Sequence, residues 1–352
     1  EEARGRAAIA ASLTLRALDM APDLDSLAHR LRRLRADPAA AALIGGRDVT
    51  PHYQRWIAAH EGLSATARAA RLNGLAHRPH ISVILPVHDP APDLLAAAIA
   101  SVRDQSYPDW QLCICDDASS DPAVIALLDQ AAASDPRIIL TRRRDNGHIS
   151  RASNDALATA HGDYVTFLDH DDALAGDALL WVATAINEHP NAQLLYSDED
   201  KIDERGERFA PHFKPDWSPE LILGQNYVCH LAVYRRDLVA TVGGLRPGYE
   251  GSQDHDLVLR ASARLKPAEI HHIPRVLYHW RAAVGSTAFE LTAKPYALLA
   301  GQRAVADHLA AHAPGAEVAV RYNRLRLTWP LPRSRNWKRR QVTNHEHRRL
   351  VV

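Results

Sequence analysis

The chain has few cysteines and no long apolar run, and both absences narrow the class of protein. Its three cysteines among 352 residues are an odd number, which argues against a framework of disulfide bonds and favours a reducing compartment. No stretch approaches the roughly eighteen consecutive apolar residues of a membrane-spanning helix, and the first residues lack a signal-peptide pattern. We therefore expect a cytoplasmic protein.

The chain also lacks an excess of charge of either sign. Lys and Arg total 42, and Asp and Glu total 42, so the charge balance favours neither a nucleic-acid partner nor an acidic tail. With 46% hydrophobic and 24% charged residues, the composition is that of a globular protein with a sizeable core. Cys113 and Cys115 alternate along an apolar run, which predicts two small buried side chains on one face of a strand.

Residues 1–76 are rich in Ala, Leu and Arg and predict a helical N-terminal extension. Leucines recur there at spacings of three and four, as on one face of an amphipathic helix: Leu24, Leu27, Leu31 and Leu34. Pro38 is expected to end that helix. Residues 53–72 predict a second helix or a pair of helices, and the extension shows no catalytic constellation.

From residue 81 onward, short apolar runs alternate with helical segments. The predicted strands are residues 81–89, 110–117, 137–140, 163–168 and 192–197. Strands that alternate with helices predict βαβ crossovers and a mostly parallel sheet with helices on both faces. We therefore predict an α/β fold.

Acidic residues follow four of these five strands. They are Asp89; Asp116 and Asp117; Asp169, Asp171 and Asp172; and Asp198, Glu199 and Asp200. One strand that ends in Asp indicates only a turn, but ligands bind beyond the carboxyl ends of parallel strands. Four acidic strand ends on one edge of a sheet therefore predict a binding site.

The segment Asp-His-Asp-Asp at residues 169–172 concentrates three carboxylates in one turn. Mg²⁺ and Mn²⁺ prefer one or two carboxylates together with substrate phosphates. A bare D-x-D pattern is more often a solvated turn, but its position after a buried strand favours a metal site. The spacing excludes an EF-hand, no P-loop lies nearby, and no Cys/His cluster has zinc spacing. The pair His271–His272 is assigned to a strand surface.

Five segments together resemble the family 2 inverting glycosyltransferases of the GT-A fold, most closely those of bacterial surface-polysaccharide (O-antigen-type) assembly. The segments are ISVILPVHDP, QSYPDWQLCICDDASSD, NGHISRASNDALATAHGDYVTFLDHDD, GSQDHDLVLR and LYHWR. The resemblance covers residues 78 to 290 approximately. It implies a Rossmann-like GT-A domain over residues 77–330, followed by a basic C-terminal tail at residues 331–352.

The resemblance also implies a function. A member of this family moves a sugar from a nucleotide-diphosphate sugar, here expected to be a UDP-sugar, to a hydroxyl of a glycan or lipid-linked acceptor. It uses a divalent cation, Mn²⁺ or Mg²⁺. The residues that the resemblance assigns to nucleotide and donor binding are Pro86, His88, Asp116, Asp117, Asn146, Arg151, Asn154, Asp169 and His170. Asp116 and Asp117 match the pair that accepts a hydrogen bond from the nucleotide base, and His148 stands where the family frequently has a second Gly.

The resemblance assigns the metal to Asp171, Asp169 and His279, with Asp172 as a supporting residue or a helix cap. Asp254 matches the general base, although an N-cap is the alternative role for an Asp before a helix. Asp256 is expected to pair with Arg260 four residues later.

The segments after the fifth predicted strand supply candidates for acceptor binding. These are Trp217, Asp198, Glu199 and Lys214. Trp217 is equally compatible with an ordinary core position. Residues 282–288, with Gly285 and Ser286, predict a mobile loop over the donor.

Three alternative functions remain open. A processive synthase would carry Q-x-x-R-W after the base, whereas this chain has only Gln-Arg-Trp at residues 54–56, upstream of the whole domain. A sugar-1-phosphate nucleotidyltransferase would need a Gly-rich basic loop after the first strand, which residues 85–93 do not provide. A non-catalytic nucleotide-sugar-binding module is disfavoured because Asp171 and Asp254 are both present.

The basic residues at the end of the chain suggest a peripheral contact with the inner face of the cell membrane. Residues 333–352 contain one Trp among several Arg and Lys, and such segments are attracted to anionic lipid. If the tail rests on the membrane near a lipid-linked acceptor, deletion of residues 333–352 should abolish binding to anionic liposomes in a sedimentation assay. Unchanged liposome binding would refute the hypothesis.

Overall fold

The computed structural model describes residues 2–21, 25–45, 50–282, 295–322, 324–330 and 349–351. Two predictions lie outside these ranges: the mobile loop, of which only Ala282 is described, and the basic tail, apart from residues 349–351. Within the described ranges, no helix has both the length and the apolarity needed to span a membrane.

The N-terminal extension is helical, as predicted. Its helices are α1 (Glu2–Met20), α2 (Asp25–Leu34), α3 (Pro38–Ile44), α4 (His52–His60) and α5 (Ala65–Asn73). Residues 53–72 form the pair α4 and α5. Helix α2 ends before Pro38, which begins α3 behind the side-chain cap of Asp37. Helices α1 to α3 share a small core of Ala11, Leu31, Ala40 and Ile44.

The strands of the main sheet alternate with helices along the chain. The strands are β1 (Ile81–Val87), β2 (Trp110–Asp116), β3 (Ile138–Arg142), β4 (Tyr164–Phe167), β5 (Ala173–Leu174), β6 (Leu194–Ile202), β7 (Arg208–His212), β8 (Ala232–Arg235) and β9 (Ile270–Arg281). The helices are α6 (Pro92–Arg103), α7 (Pro122–Ser134), α8 (His148–Leu157), α9 (Ala178–Glu188), α10 (Leu221–Gly224), α11 (Arg236–Thr241), α12 (Gln253–Ser262) and α13 (Pro295–His312), with a 3-10 turn at Pro267–Glu269. A smaller antiparallel sheet contains β10 (Glu317–Arg321), β11 (Arg324–Pro330) and β12 (Arg349–Val351).

The main sheet is mixed, with the strand order β3-β2-β1-β4-β8-β6-β9-β5 and β7 paired to the outer part of β6. Strands β1 to β4 pair in parallel, and so do β6 and β9. Strand β8, which the sequence did not predict, lies antiparallel between β4 and β6. Because β8 runs antiparallel to both of its neighbours, β4 and β6 run in the same direction. Their carboxyl ends therefore lie at the same edge of the sheet.

Two apolar cores cover the two faces of the sheet. Alternate residues of β1, such as Val83 and Leu85, pack with helices α6, α7 and α9. Ile84 points to the opposite core together with Cys113 and Cys115, against α8, α12 and α13. Both cysteines are fully buried, which confirms the predicted burial on one strand face. Strands that are buried along their whole length, such as β1, follow from this cover on both faces.

The acidic triplet after the fifth predicted strand lies inside that strand. Strand β6 does not end at Ser197 but continues to Ile202, so Asp198, Glu199 and Asp200 are strand residues. The neighbouring strand β9 pairs with this extension in parallel, and Asp200 stands opposite His279. These polar residues can continue the strand because each carboxylate has a hydrogen-bonding or ion-pair partner.

Candidate active site

The turn at residues 169–172, between β4 and β5, is fastened to strand β9. The Tyr278 hydroxyl donates to Asp172 Oδ2 at 2.7 Å, and the Arg281 amide donates to Asp172 Oδ1 at 2.8 Å. Arg281 Nε donates to the Asp171 carbonyl oxygen at 2.9 Å. Asp172 is buried and caps none of the described helices. Its two hydrogen bonds hold the turn against strand β9.

The carboxylates of this turn repel one another electrostatically. Burial raises the pKa of Asp172 well above its ordinary value, and Asp169 and Asp171 raise it further. Removal from bulk water also raises the pKa of Asp169, which His230 opposes from 3.8 Å away. The Asp171 carboxylate has no hydrogen-bond partner among the described residues. Oxygen ligands with unrelieved negative charge fit a hard divalent cation.

A pocket of about 450 Å³, open solvent included, lies beside this turn, against strands β4 and β8. Asp169, Cys229 and His230 line it together with Gln253 and Asp254 of α12. Pro86, one of the predicted donor residues, also lines the pocket. The fold thus brings two candidate residues, Asp169 and Asp254, to one cavity although 85 positions separate them in the sequence.

Asp254 lies in the first turn of helix α12. The N-cap position belongs to Ser252, so the alternative role of Asp254 as N-cap is wrong. The Asn226 side-chain amide donates to Asp254 Oδ2 at 2.7 Å, and Cys229 Sγ lies 3.6 Å from the same oxygen. These two contacts fix the direction of the carboxylate.

Asp256 has a structural role, as predicted. Its Oδ2 accepts a hydrogen bond from Arg260 Nη2 at 2.7 Å, four residues later, and Arg246 pairs with Oδ1. Asp256 is buried and Asp254 is only partly buried.

Asn226, Cys229 and His230 were missed as site residues by the sequence prediction. Their segment was noted only as a source of acceptor contacts. The signal available was a polar cluster, Asn-Tyr-Val-Cys-His, placed directly after the helix break at residues 224–225.

The predicted nucleotide-binding pair, Asp116 and Asp117, is buried at the end of β2. Asp116 Oδ1 accepts from the Ser119 amide at 2.9 Å. Asp117 Oδ1 accepts from the Gly147 amide at 2.8 Å and lies 2.9 Å from Arg143 Nε. The pair therefore holds the loops that follow β2 and β3, and contact with a nucleotide base stays a prediction.

The loop after β3 carries the remaining donor candidates. Asn146 Oδ1 accepts from the His148 amide at 2.9 Å, and His148 has a φ of +63°. A left-handed φ at this position gives a physical reason for the glycine that the family frequently has there. Arg151 is exposed on α8, which leaves it accessible to a ligand.

Asn154 and Asp89 are engaged in contacts that shape the loops. Asn154 Nδ2 donates to the Leu245 carbonyl at 2.7 Å, and its Oδ1 accepts from the Leu245 amide at 2.9 Å. Asp89 Oδ1 accepts from the Ser120 amide at 2.7 Å, next to the exposed His88. Donor contacts of Asn154, His88 and the partly buried His170 stay predictions.

His279, the third predicted metal ligand, lies on β9 close to the turn. It stands opposite Ala173 of β5, two residues beyond Asp171. Its Nδ1 lies 2.5 Å from Asp200 Oδ1, and its side chain is 11% exposed. The backbone of His279 thus lies next to the turn, but its ring faces Asp200. In the part of the chain that the structure describes, the side chains close enough together to share a cation form two other groups: Cys229, His230 and Asp254, and His29, Asp203 and Glu207.

Lys214 and Asp198 do not lie where an acceptor could reach them, which corrects the predicted acceptor contacts. The Lys214 side chain is fully buried, and its ammonium donates to Glu199 Oε2 at 3.0 Å and to the carbonyl oxygens of Val228 and His230. Asp198 is 3% exposed and accepts from the Lys214 amide and from His272 Nε2, each at 2.8 Å.

Trp217 differs from these two residues. It is half-buried and packs against Tyr227, with ring centroids 6.2 Å apart. Both its structural role and an acceptor contact remain compatible with this position.

The chain is similar to known proteins in both sequence and fold. The family model described as glycosyl transferase family 2 matches residues 82–243. The chain is 50% identical over 253 residues to the uncharacterized protein y4gI of Sinorhizobium fredii, covering 71% of this chain and 28% of that protein. It is 41% identical over 286 residues to the O-antigen biosynthesis protein RfbC of Myxococcus xanthus, covering 80% and 22%. The chain thus spans less than a third of the length of either relative.

A shorter relative is covered over most of its length. The chain is 30% identical over 184 residues to a PGL/p-HBAD biosynthesis glycosyltransferase of Mycobacterium bovis, covering 52% of this chain and 69% of that protein. Among solved structures, S. aureus TarS in complex with UDP-GlcNAc matches with a TM-score of 0.51 and 17% identity, over 65% of this chain and 71% of that chain. This likeness confirms the predicted GT-A fold.

Replacement of Lys214 by Met should destabilise the protein in a pH-dependent way. Burial alone would raise the pKa of Glu199, but the Lys214 ammonium and His212 hold it below the ordinary value. In the native protein Glu199 therefore stabilises the fold above the unfolded pKa, and this contribution is lost as pH falls through the folded pKa. Without Lys214 the buried carboxylate should have a raised pKa, which reverses the sign.

We expect Lys214→Met to lower the free energy of unfolding in urea by about 3–5 kcal/mol at pH 7, and by less near pH 4–5, where Glu199 would be protonated. Exposed Lys266→Met serves as the control, with an expected change within about 0.5 kcal/mol. An equal, small effect of both substitutions would contradict the structural role of Lys214.

Proposed function

Because this chain belongs to glycosyl transferase family 2, we propose that it transfers a sugar from a nucleotide-diphosphate sugar, with UDP as the expected nucleotide, to a hydroxyl group. The expected acceptor is a glycan or lipid-linked glycan of a bacterial surface polysaccharide, and the expected outcome is inversion at the anomeric carbon. The observation that carries the proposal is the pocket that Asp169 and Asp254 both line. The names of the Myxococcus and Mycobacterium relatives support it.

Asp169 and Asp171 are the residues that would hold a divalent cation in this site; the ring of His279, which pairs with Asp200, does not converge with them. Two neighbouring carboxylates are ligands that Mn²⁺ and Mg²⁺ accept together with substrate phosphates. A bound cation supplies Lewis-acid stabilisation of the charge on a departing diphosphate, an effect worth several kcal/mol. Asp172, through Tyr278 and Arg281, keeps the turn in place.

Asp254 is the proposed general base. The amide of Asn226 and the thiol of Cys229 both face its Oδ2, so we assign proton uptake from the acceptor hydroxyl to Oδ1. The hydroxyl oxygen then attacks the anomeric carbon as the bond to the diphosphate breaks. A positioned base typically contributes on the order of 10²- to 10⁴-fold in rate.

Two alternatives are less well supported by the geometry. A nucleotidyltransferase would need a basic Gly-rich loop after β1. Here the segment after β1 is a turn in which Asp89 accepts hydrogen bonds from Ser120. A non-catalytic donor-binding module would have no need of a general base, whereas Asn226 orients the Asp254 carboxylate at the pocket.

A panel of UDP-, dTDP- and GDP-sugars with Mn²⁺ or Mg²⁺ tests the proposed function directly. We expect metal-dependent release of the nucleotide from at least one donor, with a UDP-sugar preferred, as measured by a coupled nucleotide-detection assay. Addition of EDTA should abolish the release. Absence of metal-dependent turnover and of donor binding across the whole panel would refute the glycosyltransferase function.

Replacement of Asp254 by Asn should separate binding from transfer. The amide has nearly the same shape but cannot take a proton, so transfer should fall on the order of 10²- to 10⁴-fold while the dissociation constant of the donor stays unchanged in calorimetry. Asp237→Asn, an exposed substitution on α11, is the matched control and should alter neither quantity. Retained transfer by Asp254→Asn would remove Asp254 as the base and leave the family assignment intact.

A further inference from the structure

Three side chains of different chemistry converge in the pocket beside the proposed base. Cys229, His230 and Asp254 each place one possible ligand atom within 4.8 Å of the other two, and all three residues line the pocket. A thiol, an imidazole and a carboxylate are the ligand types that bind Zn²⁺ in proteins. The segment before strand β8 and the first turn of helix α12 thus assemble a mixed sulfur, nitrogen and oxygen ligand set.

The spacing of these atoms fits a tetrahedral zinc ion. Bonds to zinc of about 2.3 Å for sulfur and about 2.0–2.2 Å for nitrogen and oxygen place neighbouring ligand atoms about 3.3–3.6 Å apart. Cys229 Sγ and Asp254 Oδ2 are already 3.6 Å apart. The His230 ring, within 4.8 Å of both, needs a movement on the order of 1 Å to complete the set. The fourth position of the ion would then open on the pocket.

Neighbouring groups hold the three ligands in this arrangement. Asn226 contacts two of them, because its Oδ1 accepts from the Cys229 amide at 3.2 Å and its Nδ2 donates to Asp254 Oδ2 at 2.7 Å. The His230 ring stacks on the ring of Tyr278, with the centroids 4.5 Å apart. Partners of this kind orient metal ligands and typically change metal affinity by about 10- to 100-fold.

The thiol distinguishes this ligand set from the cation site proposed for the donor. Asp169 and Asp171 offer oxygen atoms, which Mn²⁺ and Mg²⁺ prefer, whereas a thiolate favours Zn²⁺. The two sets are neighbours, since Asp169 Oδ2 lies 3.8 Å from His230 Nε2. Zinc releases the thiol proton when it binds, and its charge is then balanced by one thiolate and one carboxylate. A zinc ion held in this way does not repel a cation at Asp169 and Asp171.

The second convergent group, on the N-terminal extension and the β6–β7 hairpin, lacks this fit. It contains His29, Asp203 and Glu207, but Arg33 Nε lies 3.6 Å from Asp203 Oδ2 and Arg32 Nη2 lies 3.3 Å from Glu207 Oε1. Its carboxylates therefore already have cationic partners. The pocket is the better candidate, because the carboxylate there faces an amide and a thiol.

We propose that Cys229, His230 and Asp254 form a Zn²⁺ site whose occupation inhibits the enzyme. The bound ion withdraws negative charge from the Asp254 carboxylate, which then cannot take the proton of an acceptor hydroxyl. It also fills the part of the pocket beside that carboxylate. The inhibition rests on the proposed function, because Asp254 acts as a base only in a transferase, whereas the zinc site does not depend on it.

Titration of the metal-free full chain with Co²⁺ tests the site without an activity assay. Co²⁺ accepts the ligands of zinc and absorbs near-ultraviolet light when a thiolate binds it. We expect such a thiolate band, and we expect Zn²⁺ to remove it by displacement. Cys229→Ser should abolish the band and weaken Zn²⁺ binding by about 100-fold or more, beyond the effect of outer partners. Cys115→Ala, at a fully buried cysteine of β2, is the matched control and should keep both.

A second variant makes the test independent of how well Cys229→Ser folds. Asp254→Asn keeps the thiol and nearly the shape of the side chain, but it removes a negatively charged ligand. The thiolate band should therefore persist, at Co²⁺ concentrations raised by about 10- to 100-fold. Far-ultraviolet circular dichroism of each metal-free variant verifies that it is folded.

The effect on transfer is measured with the donor that supports turnover and with Mn²⁺ in large excess, which keeps the donor's cation in place. Free Zn²⁺ at ten times its dissociation constant should reduce nucleotide release by about 10-fold, as mass action requires. In Cys229→Ser the same Zn²⁺ concentration should leave most of the release intact. Each variant is compared with its own rate without zinc, because Cys229 touches the proposed base.

The possible failures are distinguishable. A wild-type protein without the thiolate band, or a band that Cys229→Ser retains, would overturn the zinc site and leave the proposed function intact. Zinc bound at the site without slower transfer would overturn the inhibition. A chain with the zinc-displaceable band but without turnover of any donor would overturn the proposed function and the inhibition together, and it would support the zinc site.

Discussion

The parallel pairing of β6 with β9 is the contact on which the candidate active site depends. It sets Asp200 beside His279. It also extends β6 through residues 198–202, whose mostly polar side chains would not sustain a strand without this pairing. Strand β9 then pairs with β5 and bonds the turn at residues 169–172 through Tyr278 and Arg281. A shift of this register by one residue would turn His279 away from the Asp200 carboxylate.

Two groups of carboxylates at this edge differ in how their charge is balanced. Those of β6 are buried with partners: Asp198 with His272, Glu199 with Lys214, and Asp200 with Arg208 and His279. Asp169 and Asp171, in the turn, have mutual repulsion and little compensation from the described residues. Loss of a partner in the first group would leave a buried charge unpaired, which is costly. The second group is only partly buried and is suited to a cation.

The helical extension joins the domain through polar, aromatic and apolar contacts, the last from Leu63, Leu72 and Leu75 against the main core. Arg208, with Glu61 and Tyr53, connects it to β6, while His29 stacks on Phe209 of β7 at 4.7 Å between ring centroids. The small core shared by α1, α2 and α3 is separate from the two cores of the sheet. The extension therefore has a small core of its own, and it also meets the main domain beside Asp200 and His279.

Local sequence patterns were sufficient to predict the alternation of strands and helices, the burial of Cys113 and Cys115 on one strand face, and the pairing of Asp256 with Arg260. Each of these features depends on residues that are close in the sequence. The ordered motifs also led to the family and the GT-A fold. Strand β8, the extension of β6 and the burial of Lys214 could not be predicted, because their stability comes from partners far along the chain. The same holds for Asn226 at Asp254 and for Tyr53 at Asp200, which are 28 and 147 residues apart. The sequence determined which groups are present; only the tertiary structure decided which charges are neutralised by partners, since hydrogen bonds and burial act across space.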